Sequence, residues 1–152
     1  MNMRIMDYVN RFKSFEDSCN KIIKEIHEWT EKIKKDTEEL TGKPDQISDI
    51  LLQENSIEFK FLYFNIFIKL DICASKERGF IRWYYVKPEH EEKPRMILIL
   101  NHAFNYEGDI TTSTEPLSGY ARENKHLYYP ETLSLFCEKV DEIEFNKKAL
   151  SL

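Results

Sequence analysis

The sequence has little of what marks many enzymes and nucleotide-binding proteins. Its 152 residues include only four glycines, and each stands alone in the chain. Phosphate-binding loops and dinucleotide-binding turns need clustered glycines, because the backbone must approach the phosphates closely. The GxSxG elbow of serine hydrolases is also missing. The sequence therefore predicts no catalytic residue and no cofactor.

Cysteine and histidine are too few and too dispersed for a metal site or a disulfide framework. The three cysteines, Cys19, Cys73 and Cys137, are an odd number and contain no CxxC pair. The four histidines form no HExxH motif. Structural zinc sites usually show such local spacing, and disulfide-rich secreted domains usually have an even number of cysteines. We therefore expect free thiols, no metal ion and cytoplasmic localisation.

The chain has no long apolar run and no excess of basic charge. The longest nearly apolar stretch, residues 61–68, is far shorter than the roughly 20 residues that a membrane-spanning helix needs. Asp7 and Arg11 interrupt the apolar residues near the N-terminus, which predicts no signal peptide. With 22 basic and 27 acidic side chains the net charge is −5. This balance disfavours nucleic acid as a partner, and we expect no membrane partner.

What the sequence does contain predicts one folded domain over residues 1–152. Hydrophobic residues make up 41% and aromatic residues 13% of the chain, which excludes a wholly disordered protein. Residues 1–41 carry two apolar rows with a spacing of seven, offset by three, which predicts a long amphipathic helix. The rows are Ile5, Phe12, Cys19, Ile26, Ile33 and Leu40, and Tyr8, Phe15, Ile22 and Trp29.

The predicted helix is longer than the sheet that it would cover. A helix over residues 3–40 measures about 57 Å, whereas a five-stranded sheet is about 24 Å wide. Either the helix breaks near residues 18–20, or part of its apolar face packs elsewhere. That face covers the chain's own sheet in one interpretation and is shared with a second copy in the other. For the second interpretation we predict self-association through Ile5, Tyr8, Phe12 and Phe15.

Residues 55–114 alternate between apolar and polar side chains, which predicts an antiparallel meander of four to five strands. The apolar phase shifts near Phe64 and Asn65, which predicts a bulge or a turn there. Gly108 suits a hairpin turn that requires a positive φ. Residues 45–54 are interpreted as a further turn of helix. A loop over residues 115–129 and a closing helix over residues 130–148 complete an α+β fold in which helices cover the sheet.

Two places are candidates for binding a partner. On the strand around residues 80–86, Arg82 and Tyr84 share a side opposite Ile81 and Trp83. Arg and Tyr are enriched in protein interfaces. Tyr120 and Arg122 lie in the long loop. In the competing interpretation, Arg82 pairs with an acidic residue such as Glu58 and the loop only packs against the surface. We expect a protein-binding adaptor, inhibitor or small subunit. The alternative is an enzyme or ligand-binding protein with a pocket between the sheet and loop 115–129.

Overall fold

The computed structural model describes residues 3–41, 47–62, 64–73, 76–87, 95–111 and 129–151. They form a long helix, an antiparallel sheet and a second helix, which is the predicted α+β fold. The elements in chain order are α1 (Met3–Thr41), β1 (Ile47–Leu52), β2 (Ser56–Phe61), β3 (Phe64–Cys73), β4 (Arg78–Lys87), β5 (Arg95–Phe104), β6 (Ile110–Thr111) and α2 (Tyr129–Ser151).

Helix α1 is continuous, so it does not break near residues 18–20. Its 39 residues span about 58 Å at 1.5 Å per residue. Its middle is buried on one side, through residues that include Phe15, Cys19, Ile22 and Ile26. In contrast, every side chain from residue 4 to residue 13 is exposed. The first turns of α1 therefore extend beyond the sheet, and we call residues 4–13 the arm.

The sheet is a meander in which each strand pairs with the next in antiparallel orientation. The register brings Ile57, Ile68, Trp83 and Leu100 into one row across β2 to β5. All four side chains are fully buried. The Trp83 ring lies 6.0 Å from the ring of Phe136 in α2, so this row faces the helices. We call this side the helix-covered face and the other side the second face.

Two predicted turns are present. Strand β2 ends at Phe61 and β3 begins at Phe64, and these two residues pair with each other. The phase shift in the sequence therefore marks a tight hairpin that reverses the chain. Between β5 and β6, Gly108 adopts a φ of 84°, a conformation that glycine reaches without strain.

The interpretation of residues 45–54 as helix is wrong. Residues 47–52 form strand β1, which pairs with β2 and buries Ile47 on the helix-covered face. Its register shifts between Ser48 and Leu51, and Asp49 lies between them with a φ of 55°. This bulge disrupts the alternation that would have revealed the strand. The sheet therefore has six strands among the described residues and begins at Ile47, although β6 is only two residues long.

Helix α2 packs beside α1 on the helix-covered face. Its buried apolar residues among those described are Leu133, Phe136 and Val140. The rings of Trp29 in α1 and Tyr129 in α2 stack at 5.3 Å. The helix begins one residue before the predicted start at residue 130. Residues 115–128 of the predicted loop lie outside the described residues. Both helices therefore cover one side of the sheet.

Candidate interaction surfaces

The arm carries a continuous set of exposed apolar side chains. They follow the spacing i, i+3, i+4, i+7, which places them on one side of a helix. We call these four residues the arm stripe, and their exposed fractions are Ile5 60%, Tyr8 51%, Val9 50% and Phe12 41%. Three of them, Ile5, Tyr8 and Phe12, are residues that the sequence predicts for self-association. The structure places them together on a helix segment in which no described side chain is buried.

Phe15, the fourth predicted self-association residue, lies in a different environment. Its side chain is 1% exposed, and its ring packs edge-to-face against Phe104 at 6.1 Å. Phe15 therefore belongs to the chain's own core, and we no longer assign it to the self-association surface. The boundary between arm and core therefore falls within one helical turn, between Phe12 and Phe15.

The base of the arm is anchored to two hairpin turns. The Arg11 guanidinium lies 2.7 Å from the Glu77 carboxylate, next to β4. The Ser18 hydroxyl donates a 2.9 Å hydrogen bond to the carbonyl of Tyr106, between β5 and β6. An open cleft of about 400 Å³ lies between these turns and the side of the arm that carries Asp7 and Arg11. This side of the arm is polar, so the arm stripe faces away from the cleft.

The second face carries Arg82 and Tyr84, as the sequence predicts. Arg82 donates a 2.8 Å hydrogen bond from Nη1 to Asp71 Oδ2, and its guanidinium lies 4.8 Å from the ring centroid of Phe80. The Arg82 and Asp71 side chains are 31% and 33% exposed. The acidic partner expected in the competing interpretation is thus present, and it is Asp71 rather than Glu58. Arg82 is held in place by its neighbours, and part of its surface stays accessible.

Tyr84 forms part of a shallow groove on the second face. Its ring lies 6.1 Å from that of Phe67. Lys69, Met96 and the turn at residues 53–56 complete a groove of about 640 Å³. Phe67 and Lys69 are not among the residues predicted from the sequence, although the sequence contains a signal for them. In β3 they occupy the positions that alternate with the buried residues Ile66 and Ile68, so they point to the side of the sheet that the helices leave uncovered.

The buried ionisable groups have a physical environment that opposes reactivity. Burial raises the pKa of the Cys19 thiol to about 12 and that of Cys137 to about 11. His102 is fully buried, and burial lowers its pKa to about 4. Among the described residues, no group of three or more His, Cys, Asp or Glu side chains is placed to hold a metal ion. These groups therefore give no support to a catalytic site in this part of the chain.

No family model, curated protein or solved structure matches this chain. The described part contains no helix that is both long and apolar enough to cross a membrane. Tyr120 and Arg122, the other two predicted partner-binding residues, lie outside the described residues. The arm stripe and the groove on the second face are therefore the surfaces on which a function can be argued.

Proposed function

We propose that the protein works by binding other protein chains, as an adaptor, inhibitor or small subunit, and that it self-associates through the arm. The observation that carries this proposal is the arm stripe, in which four large apolar side chains are 41–60% exposed on one side of a helix. Soluble monomers seldom expose contiguous apolar patches of several hundred Å² unless the patch is functional. The proposal includes the cytoplasmic localisation that the three dispersed cysteines suggest.

Burial of the arm stripe supplies a driving force for association. Complete burial of a large apolar side chain contributes roughly 1.5–3 kcal/mol, so each half-exposed residue of the stripe would contribute on the order of 1 kcal/mol. When two copies cover each other's arm stripe, the residues of both stripes are buried, so the dimer gains this contribution from each copy. A two-fold arrangement achieves this with a single self-complementary surface.

The test is sedimentation velocity on the wild type and on the double variant Tyr8→Lys/Phe12→Glu at micromolar concentrations. We expect the wild type to sediment as a dimer and the variant as a folded monomer. Charges at these two positions remain solvated in the monomer but would be buried without partners in the dimer. The melting temperature of the wild type should also rise with protein concentration, because dimerisation stabilises the folded state by mass action.

A matched control carries the same two introduced residues on the side of α1 opposite the arm stripe, at Asn10 in the arm and at Ser14 just beyond it. Asn10→Lys/Ser14→Glu has the same spacing and the same change in net charge, but it leaves the arm stripe intact. We expect this control to remain dimeric. A wild type that sediments as a monomer contradicts self-association, and a control that dissociates as fully as the stripe variant contradicts the role of the stripe.

The groove on the second face supports a separate contact with a partner protein. Tyr84 and Phe67 form a partly exposed aromatic pair that lines the groove, and aromatic residues contribute much of the energy in many protein interfaces. Arg82 next to them is accessible in part but already paired with Asp71. We therefore propose Tyr84 as the main contact residue and Arg82 as a flanking one.

This second contact is tested by comparing the proteins that copurify with wild type and with Tyr84→Ala from the native cell. We expect Tyr84→Ala and Arg82→Ala to lower the recovery of a specific partner while the melting temperature stays nearly unchanged. Lys60→Ala, on the same face but outside the groove, should recover the partner as well as the wild type does. Equal recovery by all four proteins contradicts a contact at the groove.

A further inference from the structure

We propose that α2 is an acid-sensitive cover of the sheet: when His102 of β5 takes up a proton, α2 moves away from the sheet, while α1 and the strand pairs stay in place. This inference does not depend on the self-association proposed above. It is carried by three features of the described residues: the position of the imidazole at the interface with α2, the groups that surround that interface, and the small apolar contact that holds α2.

His102 lies on the helix-covered face, on the strand that α2 packs against. Of the described strands, β5 has the closest contact with α2, whereas α1 lies mainly over β1 to β4. Leu100, two residues before His102, is opposite Trp83, whose ring meets Phe136 of α2. The His102 side chain is fully buried, and neither ring nitrogen has a hydrogen-bond partner in the part of the chain that the structure describes. A proton on this ring therefore places a charge inside the interface between α2 and the sheet.

The described surroundings of the interface offer no free negative charge to the protonated ring. Burial is the cause that lowers the pKa of His102. Of the carboxylates of α2, that of Glu144 faces the sheet, and it already pairs with Lys87 of β4 at 3.1 Å. The other titratable side chains on this side are thiols and phenols, which are neutral in acid: Cys19 of α1, Tyr129 and Cys137 of α2, and Tyr85 of β4. The imidazolium therefore gains solvation only where the interface opens to water.

Helix α2 is held by less buried apolar surface than α1. In the described residues α2 buries three apolar side chains and α1 buries five. They are Leu133, Phe136 and Val140 in α2, and Phe15, Cys19, Ile22, Ile23 and Ile26 in α1. A helix forms no backbone pairs with the sheet, so α2 can move away with every strand pair intact. Elements with few buried apolar contacts open locally at a lower free-energy cost than global unfolding. A charge at this interface should therefore release α2 before the sheet.

The pKa of His102 sets the sign and the size of the effect. In the closed form burial lowers this pKa from 6.5 to about 4. In the open form, where water reaches the ring, we expect the ordinary value. The open form therefore binds a proton that the closed form does not bind between these two pH values. The closed form is fully favoured above pH 6.5, and the ratio of open to closed form should rise roughly 20-fold from pH 7 to pH 5.

Hydrogen exchange of the full-length protein, followed by mass spectrometry, measures the opening of each element. The wild type is compared at pH 7 and pH 5, and each rate is corrected for the pH dependence of exchange in an unstructured chain. We expect the amides of α2 to be less protected than those of β3 at both pH values, because α2 opens without the sheet. The protection of α2 should fall roughly 20-fold between the two pH values.

Three variants show whether His102 causes this fall. His102→Leu removes the group that takes up the proton, so α2 should keep most of its protection at pH 5. His102→Gln repeats the test with a polar side chain that stays neutral, and it serves where the leucine variant does not fold. His27→Gln, which removes a partly exposed histidine of α1, should lose protection in α2 as the wild type does.

The outcomes that overturn the inference are distinct. Equal protection of α2 and β3 would show that α2 is released only by global unfolding. Protection of α2 that stays constant from pH 7 to pH 5 would show that its opening does not expose His102. A fall that persists in the folded His102 variants would show that another group responds to acid. None of these results bears on self-association, which sedimentation tests separately.

Discussion

The buried histidine of β5 should make the stability of the protein depend on pH in a way that one substitution removes. His102 lies on the helix-covered face, opposite Ile81 of β4, and none of its side chain is exposed. Among the described residues, neither of its ring nitrogens has a hydrogen-bond partner. The charged imidazolium would therefore be buried with no compensating contact from these residues, and folding favours the neutral form.

The sign and size of the effect follow from the pKa. Burial lowers the pKa of His102 from 6.5 to about 4 in the folded state. The unfolded chain therefore binds a proton that the folded chain does not bind between these two values. The contribution of His102 to stability is fully present above pH 6.5 and declines by about 1.4 kcal/mol per pH unit as the pH falls towards 4. The total loss over this interval is about 3 kcal/mol.

Urea unfolding of the wild type and His102→Leu, followed by circular dichroism at pH values from 7 to 4.5, measures this effect. Leucine is close to histidine in volume and has no group that takes up a proton. We expect similar or slightly higher stability of His102→Leu at pH 7 and a much weaker decline on acidification. His27→Gln, which removes a partly exposed histidine from α1, should keep the wild-type decline. If His102→Leu loses stability with pH as steeply as the wild type, the reasoning is refuted.

Three further predictions test the packing of the core. Gly79→Ala should lower the free energy of unfolding by about 1–3 kcal/mol in urea titrations, because a Cβ at this position overlaps the Phe104 ring; wild-type stability would contradict the packing of β4 on β5. Phe15→Ala should lower the free energy of unfolding by about 3–5 kcal/mol in the same assay, and a loss below about 1 kcal/mol would contradict the burial of Phe15 in the core. Cys19 should react with iodoacetamide at pH 8 at least ~100-fold more slowly than in the unfolded chain, because its pKa of about 12 leaves little thiolate; mass spectrometry of the labelled peptide measures this.

The long helix was predictable because its signal is strong and local. Ten apolar residues repeat at heptad spacing over residues 5–40, and no glycine or proline occurs between Met3 and Thr41. The point where the helix leaves the sheet was not predictable from that pattern. Phe12 and Phe15 both belong to the apolar rows with heptad spacing. Among the described residues, Phe15 packs against Phe104 of β5 and Phe12 does not, and that contact depends on the register of distant strands.

Strand β1 shows where periodicity fails. Residues 47–52 contain Ile47, Ile50, Leu51 and Leu52, and their spacing suits a helical turn as well as a strand. The bulge at Asp49 places two successive residues out of phase, so the alternation typical of a strand is lost. Pairing with β2 decides the conformation, and such long-range pairing leaves no mark in a short window of sequence.

The second face was predictable in orientation but not in its contacts. Alternation along β4 was enough to place Arg82 and Tyr84 on one side, opposite Trp83. The partner of Arg82 depends on the register between β3 and β4, which sets Lys69 opposite Arg82 and brings Asp71 one pair further along the same face. A shift of this register by two residues would keep every side chain on its face but would give Arg82 a different neighbour.

Packing within the described part of the chain does not explain why one side of the arm is apolar. An isolated helix of ten residues is only marginally stable in water, but the arm continues a helix that is already anchored from Phe15 onward, so no new nucleation is needed. Polar residues at positions 5, 8, 9 and 12 would extend α1 equally well and would avoid exposing apolar surface. The residues actually present, Ile5, Tyr8, Val9 and Phe12, remain 41–60% exposed in the described part of the chain. Their apolar character gains a physical reason when another surface covers them, as the proposed self-association would do.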